Sequence, residues 1–155
     1  MRARVLISLA GALAATGCIN ISRRPDPLLG QIARVEPNEC PANERDTRAR
    51  GADEMQRVGV TEYEFSRVVL SGGRGTMRTR RLDIESGGVI PWHEHTQRQG
   101  TAIILAGEMT EYRNDCRVPI VHRVGDVVRE ETETAHYWRN EGMGAAVVLV
   151  TDVLP

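Results

Sequence analysis

Long apolar runs, a surplus of one charge and the common nucleotide-binding and nucleophile signatures are all missing from these 155 residues. The longest apolar stretch, Val5 to Ala15, falls well short of the roughly 20 residues that span a bilayer. Twenty basic residues against 21 acidic ones leave a formal net charge of -1. Such a chain has no long-range field to draw in nucleic acid or an anionic membrane surface. No G-x-S-x-G, phosphate-binding loop or dinucleotide fingerprint occurs, which disfavours serine hydrolase, NTPase and Rossmann functions. The three cysteines include no C-x-x-C pair, and no internal repeat or low-complexity tract stands out. Histidine is scarce too: there are four, and three of them fall in two short stretches.

The first 18 residues read as an export signal. Arg2 and Arg4 precede the apolar run, and small residues follow it in Ala15-Thr16-Gly17-Cys18, the order of a secretory segment. The same four residues resemble a bacterial lipobox, in which Cys18 becomes the lipidated first residue and ties the chain to the membrane. The alternative is plain cleavage near Gly17 and a free product. Either way the expected destination is the periplasm or the cell envelope. In that oxidising setting Cys40 and Cys116 can form a disulfide; two free buried thiols are the other reading. Residues 19–59 are polar and broken by Pro25, Pro27, Pro37 and Pro41, so they read as an arm without a stable amphipathic helix.

From residue 60 to 155 the pattern changes to strands, in a chain of the right length for one domain. Val60 to Leu70 is rich in β-branched and aromatic residues. Ser71 to Gly75 turns the chain, and Met77 to Ile84 alternates in part. Ser86-Gly87-Gly88 reads as a second turn before Val89 to His95. Thr101 to Leu105 is a continuous apolar run, suited to a strand buried on both faces. Ala106-Gly107 breaks that run, and Glu108–Arg113, Pro119–Val124, Val127–Arg129, His136–Asn140 and Ala145–Val150 bring the count to about nine short segments. Short strands between glycine-bearing turns indicate an all-β, antiparallel sandwich or barrel.

On a strand, residues i and i+2 share a face, so His93 and His95 point one way and Glu94 the other. Two such imidazoles can lean toward one ion at bonds of about 2.0–2.1 Å. The spacing around them is more specific. Gly87 stands six residues before His93, and Gly107 twelve after His95; Gly125 stands eleven before His136, with Asn140 four after it. Here the sequence resembles the cupin superfamily, whose two motifs read G-x5-H-x-H-x3,4-E-x6-G and G-x5-P-x-G-x2-H-x3-N. The likeness spans residues 60–155, and Trp92 to His95, Gly107 to Tyr112 and His136 to Asn140 are similar to small single-domain bacterial cupins. It implies an antiparallel jelly-roll β-barrel holding one divalent transition metal (Fe, Zn, Mn or Ni) through His93, His95 and His136. It also implies a homodimer.

The departures carry as much. The motif's glutamate falls on Gly100; its neighbour Gln99 offers a weak amide-oxygen ligand, but faces away if the alternation holds. Glu131 and Glu133 replace the usual Pro and Gly. The resemblance then implies three neutral ligands, no carboxylate, and open positions that suit an anionic substrate. The thiol dioxygenases share this small-residue variant, which makes non-haem iron oxygenase chemistry one alternative. A metal-dependent enzyme acting on a small anionic molecule, a ligand-binding or sensory module, and a structural lipoprotein with an empty barrel all fit the chain. Among the remaining candidates, Arg98 suits a substrate carboxylate or a solvated loop. Glu130, Glu131 and Glu133 suit either orientation of a ligand histidine or a solvated strand edge. Tyr137 lies beside a ligand, with Trp92 and Trp138 as barrel packing. His122 lies outside both motifs and is expected at the surface or in a local hydrogen bond.

Overall fold

The computed structural model describes residues 39–48 and 56–155. The export segment with Cys18, and most of the polar arm, lie outside the described residues. The described part holds a short 3-10 turn, Ala42–Glu44, and eight strands: β1 (Val58–Val69), β2 (Thr76–Glu94), β3 (Gly100–Ala106), β4 (Glu108–Arg113), β5 (Ile120–Arg123), β6 (Val127–Glu130), β7 (Ala135–Arg139) and β8 (Ala146–Leu154). All pairings are antiparallel. The order β5-β4-β7-β2-β8-β3-β6, with β1 added on β2, makes one curled sheet, a jelly-roll β-barrel.

Strand β2 organises it. Its first half, Thr76 to Ile84, pairs with β8 on one edge and β1 on the other; its second half, Val89 to Glu94, pairs with β7. The turn expected at Ser86-Gly87-Gly88 is instead an irregularity inside one continuous strand. Gly87 takes φ +77°, a conformation that costs a side chain and not glycine. Asn140, fully buried, fastens this corner. Its Nδ2 donates to the carbonyls of Ile84, Glu85 and Gly144 at 2.8–3.1 Å, and its backbone N–H to that of Gly88 at 2.9 Å. The corner lets one strand serve both halves of the barrel, so nine expected segments become eight strands.

The core is the inward row of each strand: Leu82 and Ile84 from β2, Ala102 and Ile104 from β3, Met109, Val128, Trp138, then Ala146, Val148 and Val150 from β8. Strand β3 is buried on one face rather than two, because Leu105 is exposed. The described part of the arm is stitched to the β4–β5 loop. Cys40 and Cys116 are joined as a disulfide, Asp46 N–H donates to Asp115 at 3.0 Å, and Arg117 N–H to Glu44 at 3.0 Å.

Candidate metal centre

His93 on β2 and His136 on β7 sit directly opposite one another in the antiparallel register. His95 follows one residue past the end of β2 and is anchored by its N–H to Thr134 O at 3.0 Å. The three Nε2 atoms converge. His136 Nε2 lies 3.0 Å from that of His95 and 3.1 Å from that of His93. Two nitrogens on one ion at 2.0–2.1 Å stand about 2.9–3.3 Å apart, depending on the angle, so the spacing fits a shared cation.

The other ring nitrogen of each histidine is committed. His93 Nδ1 donates to Pro91 O at 2.9 Å, and His95 Nδ1 to Arg98 O at 2.7 Å. A carbonyl can only accept, so these protons are fixed on Nδ1 and each Nε2 presents a lone pair. His136 Nδ1 bonds to Glu111 Oε1, and the only donor to its Nε2 among the described residues is Trp138 Nε1, at 3.3 Å. Lone pairs turned toward one point repel unless a cation lies between them. Burial, with the His136 imidazole next in effect, pulls His93 down to about 3; the same two causes bring His95 to about 4. Both are therefore neutral at physiological pH, the form that binds metal.

A carboxylate completes the group. Glu130, at the end of β6, brings Oε2 to 3.6 Å from His95 Nδ1 and Oε1 to 4.0 Å from His136 Nε2. His93, His95, Glu130 and His136 each offer an atom within 4.8 Å of the others, a group able to hold a metal ion. This corrects the expectation of three ligands without a carboxylate. The register explains the move: Gly100, where the motif's glutamate falls, pairs directly with Glu130 across β3 and β6. A Cβ at Gly100 would lie 2.4 Å from Thr151 O, so no side chain fits there. The acid arrives from the adjacent strand instead. Burial pushes its carboxyl up.

Behind His136 stands a second buried carboxylate. Glu111, on β4, is fully buried between His136 Nδ1 and His122 Nε2, the latter at 2.9 Å. Burial alone would raise its pKa, but the hydrogen bonds from His122 and His136 hold it down to about 2. An ionised acceptor behind a ligand imidazole fixes its orientation and strengthens it as a donor. His122 is thus not a surface residue: it is fully buried, with its ring 5.0 Å from that of Trp138. The sequence did carry a signal for Glu111, since it shares the inward row of β4 with Met109.

Other candidates fall elsewhere. Glu131 is exposed and faces Arg129. Gln99 is also exposed, and its amide donates to the carbonyls of His95 and Thr96, closing the turn after β2. Tyr137 points to the outer face of β7 and stacks on Tyr112 at 4.4 Å. Arg98 lines a cavity of ≈ 190 Å³ bordered also by His93 and Glu130.

The family model described as "Cupin domain" (Cupin_2) matches residues 80–152, from β2 to β8, a span holding all four members of the group. That span is a cupin domain. Germin-like protein 5-1 of Oryza sativa subsp. japonica is 33% identical over 106 residues, covering 64% of this chain and 44% of that protein. The chain thus spans less than half the length of that relative. Among solved structures, this cupin superposes on the cupin domain of Schizosaccharomyces pombe Cnp3 with TM-score 0.52, at 12% identity, covering 66% of this chain and 69% of that one. KdgF from Halomonas sp. superposes with TM-score 0.53, also at 12% identity, over 66% and 86% of the two chains. At such identities the likeness speaks for the fold.

Proposed function

We propose that this cupin is a metal-dependent enzyme that binds one divalent transition ion through His93, His95, His136 and Glu130 and acts on a small anionic molecule. The observation that carries this reading is the shared border: His93 and Glu130 line the same cavity as Arg57, Arg80 and Arg98. A molecule in that cavity would lie beside the ion those residues would hold. Bound there, the ion would supply Lewis-acid or redox chemistry to a ligand atom. Glu111 and His122 would hold His136 in place behind it.

A specific observation favours a second reading, a binding module without turnover. Four protein donors fill the shell of a tetrahedral ion such as zinc, whereas an ion that takes six keeps positions open. The likeness to thiol dioxygenases rested on a carboxylate-free set of ligands, which Glu130 does not fit; a histidine–carboxylate set is itself one that non-haem iron oxygenases use. Cobalt(II) substitution separates the two main readings. Addition of azide is expected to shift the visible absorption of the cobalt protein, as an open shell requires. A spectrum indifferent to azide would leave only the closed, non-catalytic site.

Export is part of the same proposal. The Cys40–Cys116 bridge suits an oxidising compartment, the destination suggested by the signal-like segment that ends at Cys18. Cell fractionation with thiol alkylation tests it: both cysteines are expected to be protected from alkylation, in the envelope fraction. Reactive thiols in the cytosolic fraction would refute it.

A further inference from the structure

Beneath the cavity, charges do not balance. Asp152, its side chain fully buried, receives both arms of Arg78 (3.0 and 2.8 Å) and Nη2 of Arg80 (3.0 Å), and lies 3.5 Å from Nε of Arg98. Glu62 pairs with Arg80 Nη1 at 3.0 Å and with Arg57 at 2.9 Å. Four guanidiniums therefore answer to two carboxylates. The remaining acid on the cavity wall, Glu130, belongs to the histidine group. Three of the four arginines, Arg57, Arg80 and Arg98, line the cavity.

Two donors there make no hydrogen bond, although Arg98 Nε keeps its ion pair with Asp152 at 3.5 Å. Arg80 Nε and Arg98 Nε are buried and make no hydrogen bond, although Arg80 is only 9% exposed and its other two nitrogens are paired. A buried N–H without an acceptor is costly, more so on a charged group. Such a donor persists where a ligand supplies the acceptor. The rest of the wall is apolar: Leu82, Ile90, Ala102, Trp138, Val148 and Val150. The cavity's ≈ 190 Å³ equals about six water volumes, taking roughly 30 Å³ for each.

We infer that this cavity binds a small monocarboxylate, its carboxylate held by the guanidiniums of Arg80 and Arg98 and its short apolar body lying against Leu82, Ile90, Val148 and Val150. A carboxylate matches the planar, divided donors of two guanidiniums, and the apolar side chains on the wall suit a short hydrocarbon body. The inference deepens the proposed function by naming the substrate class. It depends on that reading only in bringing the far end of the ligand to the metal.

Calorimetric titration of the full chain, with metal and after chelation, tests it using butanoate, benzoate, butanamide and inorganic phosphate. Butanoate or benzoate should bind, and the isosteric butanamide about 10- to 100-fold more weakly, as loss of a charge-assisted pair predicts. Arg98→Gln and, where it folds, Arg80→Gln should weaken butanoate by a similar factor with metal content unchanged. This comparison of acid with amide needs no variant. Equal binding of acid and amide, binding untouched by Arg98→Gln, preference for phosphate, or no binding of either acid would each overturn the inference. Metal retained without carboxylate binding would sink this inference alone. Carboxylate binding in a chain that takes up no metal would sink the metal reading and leave this one standing.

Discussion

Each of the three imidazoles is held by a different acceptor: a strand carbonyl for His93, a turn carbonyl for His95 and a buried carboxylate for His136. Only the last can be altered by a side-chain change. Glu111→Gln is therefore expected to weaken metal binding about 10- to 100-fold, read by competition with a chromogenic chelator. Unchanged affinity would mean that Glu111 serves packing alone. Asp152 is the other residue on which many partners depend. Burial raises its carboxyl, but the hydrogen bond from Arg78 and the charges of Arg80, Arg78 and Arg98 lower it further, to a net value below the usual one. Asp152→Asn leaves those guanidiniums without their shared anion and should cost about 3–5 kcal/mol in urea unfolding. At this scale the sequence was legible where strand alternation alone decides, as in His93-Glu94-His95. What Glu130, Glu111 and His122 touch was not, because a partner's identity depends on which strand lies alongside.

The register of β3 against β6 and β8 decides where the acid of the site can stand. Gly100 lies beside both Glu130 and Asp152, and its missing Cβ gives Thr151 O the room it occupies. Returning the motif's residue with Gly100→Glu should therefore damage the barrel instead of improving the site. A loss of about 1–3 kcal/mol, with no gain in metal affinity, is the expected result in paired unfolding and chelator measurements. The glycine was legible as a departure, but its consequence was not, since only pairing brings Glu130 across from it. The corner in β2 hid for a similar reason: Ser86-Gly87-Gly88 has the composition of a turn, and Asn140, more than fifty residues away, is what keeps the strand running through it. The Cys40–Cys116 bridge, across a sequence separation of 76, adds at most ~4.5 kcal/mol in the chain-entropy model. Reduction should lower the unfolding midpoint accordingly, measured with and without a reductant.

For the whole molecule, the balance of acidic and basic residues conceals a strongly uneven interior, with unprotonated histidines at one place and excess guanidinium beside them. That arrangement sets the response to acid. His93 and His95 sit at about 3 and about 4 in the folded chain, against about 6.5 when unfolded. Between those values the unfolded chain binds more protons, so stability is full above about pH 6.5 and falls as pH drops toward 3. The slope reaches ~1.4 kcal/mol per pH unit for each histidine. Glu111, held at about 2, adds a loss of the same sign below about pH 4.5, the lower end of the window. Metal-free protein followed by thermal unfolding from pH 7 to 4 should show this decline, and a saturating metal should compete with the protons and reduce it.

The central claim is that His93, His95, His136 and Glu130 hold one divalent transition ion. Elemental analysis of the protein purified without a polyhistidine tag addresses it most directly, beside a folded His93→Ala variant. The account predicts close to one equivalent of a single transition metal in the native chain and less than about a tenth of that in the variant, as loss of a primary ligand requires. Stoichiometry near zero in the native chain, or equal metal in both, would contradict it.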